Sequence, residues 1–267
     1  MHTALPSGVT FRSMQPGDVP TALAIIKQHS IDDYDVAKQS YRRSIEGQYV
    51  LERAACVIGL TGWRDIPEAD RTYWLSWTYL AEQERGQGLG LGMLSAVLDT
   101  LRRRDARKIF VYTSDLGQAD GQKGDYGQAI QVYQKLGFVE ELCHPDYYDP
   151  GESLIALGLR IEERYTPQPI QPELRNARLT GVEEIVETND AYVIDWEFVP
   201  GQGASPEDVS QLVEKVRAWG GRVIFASLAS DAPFAQGLFL AGGFTQKGRL
   251  SDFFEDGIDA VHYRQNV

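Results

Sequence analysis

Four glycines alternate with other residues in Arg85-Gly-Gln-Gly-Leu-Gly-Leu-Gly92. The stretch lies between a strand-like run, Tyr73–Leu80, and a helical one in which Leu94, Val97, Leu98 and Leu101 recur at i, i+3, i+4 and i+7. Such a loop is an anion cradle. With side chains removed, backbone N–H groups can close on a phosphate where the helix N-terminus adds its positive end. The expected ligand is a pyrophosphate.

Two nucleotide patterns fail here. A P-loop needs Lys followed by Ser or Thr behind its last glycine, whereas Leu91 and Gly92 follow Gly90. A dinucleotide fingerprint needs glycines at n, n+2 and n+5, but the third position is Leu91 counted from Gly86 and Met93 counted from Gly88. What remains is Arg-x-x-Gly-x-Gly after a strand and before a helix, which resembles the coenzyme A loop of the GNAT superfamily of acyltransferases. Ala129-Ile-Gln-Val-Tyr-Gln-Lys-Leu-Gly-Phe138 resembles the same family's helix-turn-strand signature, with Tyr133 four residues before Gly137. The resemblance spans residues 8–160.

That resemblance implies an α/β (α+β) fold, a mixed and mostly antiparallel sheet flanked by helices, with acetyl-CoA as cofactor. It implies that the strand before the loop bulges at Tyr79, Leu80 and Ala81 and pairs there with pantetheine through its backbone. Arg85, Gly86, Gln87, Gly88, Leu89 and Gly90 would hold the pyrophosphate. Tyr126 stands where the family often has a cofactor-contacting Asn. Tyr133 is the implied acid for the departing thiolate, although its spacing with Val132 and Leu136 also suits a core tyrosine. For the base, Glu82 and Glu84 lie beside the loop, and either is equally readable as an exposed turn carboxylate; Asp115 is a further candidate on the acceptor side. Asp33, Tyr34 and Asp35, with Asp32, would meet an amine acceptor, or simply form a solvated acidic turn.

A chain of 267 residues, 43% hydrophobic and 10% aromatic, exceeds one ordinary domain and suggests a smaller second one. Its net charge of −12 argues against nucleic acid and leaves cationic acceptors open, though an acidic surface also just keeps a protein soluble. Cys56 and Cys143 are far apart and without Cys-x-x-Cys spacing, so they read as buried thiols in a reducing cytoplasm. His2, His29, His144 and His262 form no metal spacing. With no apolar run near about eighteen residues and no leader pattern, neither membrane insertion nor export is expected. Monomer and homodimer both stay open.

Along the chain, strands are expected at Val9–Met14, Tyr49–Arg53, Ala54–Trp63, Thr72–Leu80, Lys108–Thr113, Phe138–Leu142 and Leu154–Leu159. Residues 30–48 read as polar and partly helical, and Asp115–Gly127 as a long loop. The GNAT-like domain would end at residue 160, and 161–176, with Pro167, Pro169 and Pro172, would be a linker. Residues 177–267 then echo the first domain. At one offset of 106 residues Gly137-Phe138 meets Gly243-Phe244, Asp146 meets Asp252, Tyr147-Tyr148 meets Phe253-Phe254 and Gly151 meets Gly257. The echo has lost its chemistry: Pro200–Pro206 lacks the glycine motif, and Phe239 replaces Tyr133. The sequence thus reads as an acetyl-CoA-dependent N-acetyltransferase for a small amine with a degenerate second GNAT-like half. A catalytically inactive CoA-binding module, or a protein lysine or N-terminal acetyltransferase, is the alternative.

Overall fold

The first elements along the chain are β1 (Val9–Ser13), α1 (Val19–His29), α2 (Ile31–Arg43), β2 (Gln48–Arg53), β3 (Cys56–Asp65), β4 (Thr72–Leu80), α3 (Leu89–Arg103), β5 (Lys108–Ser114), α4 (Asp125–Lys135), β6 (Val139–Asp149) and β7 (Glu152–Arg160). They are followed by β8 (Asn176–Glu184), β9 (Ala191–Val199), α5 (Pro206–Ala218), β10 (Val223–Ala229), α6 (Pro233–Ala241), β11 (Thr245–Glu255) and β12 (Ile258–Asn266). This computed structural model describes residues 5–116, 125–167 and 169–267, without the side chains of Asp32, Asp125 and Tyr126. Most of the loop expected at Asp115–Gly127 therefore lies outside the described residues. Two sheets form, with strand orders β1-β2-β3-β4-β5-β7-β6 and β11-β12-β10-β9-β8. The chain divides into two compact units. One holds β1 to β4, α1 to α3, β5 up to Tyr112, α4 from Gly127, and Leu159–Glu163; the other holds, among the described residues, 113–116, 125–126, Glu140–Gly158 and Arg164–Val267.

Local chemistry explains the elements of the first unit. The stripe on α3 is buried at Leu89, Met93, Leu94, Val97, Leu98 and Leu101, so the helix is held by its apolar face. Polar residues 30–43 nevertheless form a full helix, because Ser30 is extended and its Oγ accepts from the Asp33 N–H at 3.0 Å. The β2–β3 hairpin turns on Ala54 and Ala55, with φ of +49° and +61°, the left-handed pair that suits strand twist. This moves the start of β3 to Cys56 and leaves its thiol exposed at the hairpin end, and Cys143 is exposed on β6. The expectation of buried thiols is thus corrected.

The echo in sequence is an echo in structure. β3-β4-α3-β5-α4-β6-β7 and β8-β9-α5-β10-α6-β11-β12 share one order, and the bounds of β6 and β7 recur 106 residues later in β11 and β12. Asp146 and Asp252 have φ of +54° and +51°, and each accepts, through Oδ1 at 2.8 Å, from the glycine five residues on. Arg107 and Arg222 precede the paired central strands, and each N–H donates to a residue of positive φ, Arg71 at 2.8 Å and Asp190 at 2.7 Å. Arg107 is 1% exposed, yet it is satisfied by the Asp70 carbonyl at 3.0 Å and the Thr72 hydroxyl at 2.7 Å. Tyr133–Phe138 and Phe239–Phe244 make the same edge-on ring pair at 5.5 and 5.3 Å.

Candidate active site

β4 and β5 run parallel but pair only over Thr72–Trp74 and Lys108–Phe110, although β4 continues to Leu80. Beyond those pairs β4 carries an extra residue: Leu60 faces Tyr79 and Gly62 faces Ser76, so Trp77 and Thr78 together oppose Thr61. A bulge of this kind bends the strand and frees backbone groups from the ladder. Thr78 anchors it, its Oγ1 lying 2.8 Å from Thr61 Oγ1 and 3.1 Å from the Ser76 carbonyl. The irregularity thus falls at Trp77–Thr78, ahead of the expected Tyr79, Leu80 and Ala81. Tyr79 and Leu80 are back in register with Leu60 and Gly59, and the Ala81 N–H already donates to Ile58 O at 2.9 Å.

A 3-10 turn, Glu82–Glu84, leads into the glycine loop. Gly86 and Gly88 have φ of +74° and +77°, while a Cβ at either would meet nothing within 4 Å. Conformation, not crowding, calls for glycine there. Gly88 is the N-cap of α3, and no side chain caps that end, so the first N–H groups of the helix stay available to an anion. The buried Leu89 anchors the first turn, and Gln87 Nε2 donates to Gln83 O at 3.1 Å. These features fit a pyrophosphate.

Tyr133, on α4, is 6% exposed, and its hydroxyl hydrogen-bonds Thr78 at the bulge. Burial pushes its pKa up to about 12, against a smaller lowering by that hydrogen bond. Glu84 is engaged by Arg53 Nη1 at 2.6 Å, whereas Glu82 is exposed. Asp33 accepts from the Tyr79 hydroxyl, and the Tyr34 ring lies beneath Lys27 Nζ at 5.2 Å and Lys38 Nζ at 5.4 Å. Asp35 is exposed. Asp115 lies in the second unit, where its Oδ1 accepts from the Ser153 N–H at 2.7 Å. The side chain of Tyr126 is outside the description. Residues that the sequence did not single out also gather around the bulge: Thr61 on β3, Thr78 on β4, and Tyr41 on α2, whose buried hydroxyl has no hydrogen-bond partner and whose ring meets Trp77 edge-on at 5.6 Å. His29 joins them, 2.9 Å from the Leu80 carbonyl.

The second repeat has the same frame but different details. β9 and β10 pair in parallel over Ala191–Val193 and Val223–Phe225. The extra residue sits on β8, between Leu179 and Gly181, and Trp196 Nε1 reaches from β9 to the Ser227 carbonyl of β10 at 3.0 Å. The start of α5 is closed by a capping box, Ser205 Oγ accepting from the Asp208 N–H and the Asp208 carboxylate accepting from the Ser205 N–H at 2.8 Å. Among the described residues there is no cluster of three or more metal-ligating side chains, and no helix is long and apolar enough to cross a membrane.

Comparison with known proteins agrees with this geometry. The sequence profile of the acetyltransferase (GNAT) family matches residues 18–138. No curated protein matches the chain. Among solved structures, a protein assigned to the GNAT acetyltransferases from Desulfovibrio desulfuricans is 21% identical, with a TM-score of 0.51 over 58% of this chain and 99% of its own. Ard1 from Thermoplasma volcanium is 20% identical, with a TM-score of 0.49 over 58% of this chain and 99% of its own. yncA from Salmonella typhimurium, solved with its cofactor acetyl-CoA, is 19% identical, with a TM-score of 0.49 over 61% and 99%. The first of these shares the fold.

Proposed function

Because residues 18–138 are a domain of the acetyltransferase (GNAT) family, which makes this chain an acyl-CoA-dependent N-acetyltransferase, we propose that its first repeat acetylates a small amine in a ternary complex. Acetyl-CoA supplies the activated acetyl group. Arg85 and the N–H groups from Gly86 to Gly90 hold the pyrophosphate, and the backbone of β4 from Thr78 to Ala81 lies along the pantetheine. The observation that carries this reading is the meeting of three features on one strand: the bulge at Trp77–Thr78, the uncapped start of α3 behind it, and the Tyr133 hydroxyl on Thr78.

Tyr133 keeps its proton at neutral pH and is the acid for the leaving thiolate. Glu82 is the better base of its pair, since Glu84 already serves Arg53. Asp33, Tyr34 and Asp35, at the start of α2, are the side chains for the acceptor amine. The catalytic domain spans residues 8–160, and 177–267 form a degenerate GNAT-like domain that packs and does not turn over.

The test is release of free thiol from acetyl-CoA against a panel of small amines, polyamines, amino acids and peptides. Turnover with a small amine supports the reading. Tight CoA binding with no turnover on any amine favours a CoA-binding module, and turnover on peptides alone favours a protein acetyltransferase.

A further inference from the structure

Arg85 is the only cation in the stretch from Ala81 to Gly90. Its Nη2 lies 2.9 Å from His29 Nδ1 and 2.7 Å from His29 Nε2, while Nε2 is 2.9 Å from the Leu80 carbonyl. Nη2 thus lies alongside the ring, within reach of both nitrogens. Nε2–H donates to Leu80, which leaves the lone pair of Nδ1 to accept from the guanidinium.

The same ring rests on Tyr79, with centroids 4.5 Å apart and planes tilted by 39°, and the Tyr79 hydroxyl donates to the Asp33 carboxylate. His29 is the last residue of α1, and the next residue, Ser30, caps α2 through the Asp33 N–H. The corner between α1 and α2, the end of β4 and the glycine loop are therefore joined on one imidazole. The half-buried setting of His29 and Arg85 strengthens these bonds relative to water.

We propose that His29 is a positioning residue for the cofactor site: it aims Arg85 toward the phosphate cradle and, through Tyr79 and Asp33, ties that aim to the acceptor-side corner. The inference rests on the reading that this loop takes the pyrophosphate of CoA. An arginine side chain with several rotatable bonds loses entropy when it grips a phosphate, and holding it beforehand on a fixed imidazole reduces that loss. Asp33 then acts at a distance from the loop by fixing Tyr79 under the ring.

The experiment is a calorimetric titration of CoA into wild type, His29→Ala, His29→Gln, Arg85→Ala and the His29→Ala/Arg85→Ala double variant. Thermal melts accompany each titration to establish that each is folded. His29→Ala is expected to weaken CoA about tenfold, the size of one hydrogen bond to a charged group. His29→Gln recovers most of that loss, since an amide can donate to Leu80 and accept from Arg85. In the Arg85→Ala background His29→Ala adds less than about twofold, because the two residues act through one another. Unchanged affinity in His29→Ala overturns the proposal, and so does the same tenfold loss with Arg85 absent, which marks a merely structural role. If wild type binds no CoA, the reading of the loop falls and the proposal with it; if wild type binds and His29→Ala matches it, the proposal alone falls.

Discussion

The β4–loop–α3 segment and the β9–loop–α5 segment are built on one plan, yet only one is shaped to receive an anion. In both, parallel pairing covers three residues of each strand and then stops. In the first repeat the extra residue of the neighbouring pair is on β4 itself, so the strand that borders the opening bends; in the second it is on β8, and β9 stays regular. Trp77 and Trp196 each come five residues after the first parallel pair, but Trp77 sits in the bulge and meets Tyr41, while Trp196 donates across to Ser227 and ties β9 to β10. The start of α3 is a left-handed glycine without a cap, whereas that of α5 is sealed by Ser205 and Asp208, whose carboxylate would also repel a phosphate. Three local choices thus separate the two segments: which strand takes the extra residue, where one tryptophan bonds, and what caps one helix.

The sharpest way to break this comparison is to exchange the residues at the matched position of α4 and α6. Tyr133→Phe is expected to lower turnover by about 10²–10⁴-fold, the usual worth of a positioned acid, with CoA affinity unchanged. Phe239→Tyr in the second repeat creates no activity, and a steady-state assay of both variants checks the pair. Next in size is the loop. Gly88→Val places a β-branched residue at φ +77°, a strain of about 1–2 kcal/mol that the loop relieves by moving, so CoA binding weakens about tenfold in a calorimetric titration.

A third effect belongs to the second unit and not to catalysis. His144 Nε2 and His262 Nδ1 are 3.2 Å apart, both rings are buried, and His144 Nδ1 has no hydrogen-bond partner. Burial, with His262, Arg264 and Lys247 adding to it, lowers His144 to about 3, and burial lowers His262 to about 4. Both histidines are neutral in the fold and protonate near their ordinary value once it opens. Stability is therefore full above about pH 6.5 and falls as the pH drops toward 4, where the unfolded chain binds protons that the fold refuses. Thermal melts across that window check this, and His262→Phe is expected to flatten the slope. The smallest effect is Ser205→Ala, which removes the cap of α5 at about 1 kcal/mol of stability and leaves CoA affinity untouched, as a melt and a titration together would report.

What was legible in the sequence was local. The glycine loop, the stripe on α3, Gly137 and Gly243 at helix ends, and the Asp–Gly pairs at 146/151 and 252/257 all reflect backbone conformations that a residue type dictates, so their spacing carried the loop and the repeat. Register was not legible, because the extra residue at Trp77–Thr78 is fixed by what β3 presents across the ladder, and the expected position at Tyr79–Ala81 was late. Long-range partners were equally hidden. Arg53, 31 positions earlier, engages Glu84, and His29 meets Leu80 and Arg85 at separations of 51 and 56 with no spacing signal. The exposure of Cys56 is equally hidden, because an Ala-Ala pair does not announce a tight hairpin.

The central claim is that one repeat of the two takes the cofactor. Calorimetric titration of CoA into the full chain, beside Gly88→Val and Ser205→Ala, tests it most directly. The account predicts one site per chain, weakened by the first substitution and indifferent to the second; two equivalents bound, or a single site that ignores Gly88→Val, would contradict it.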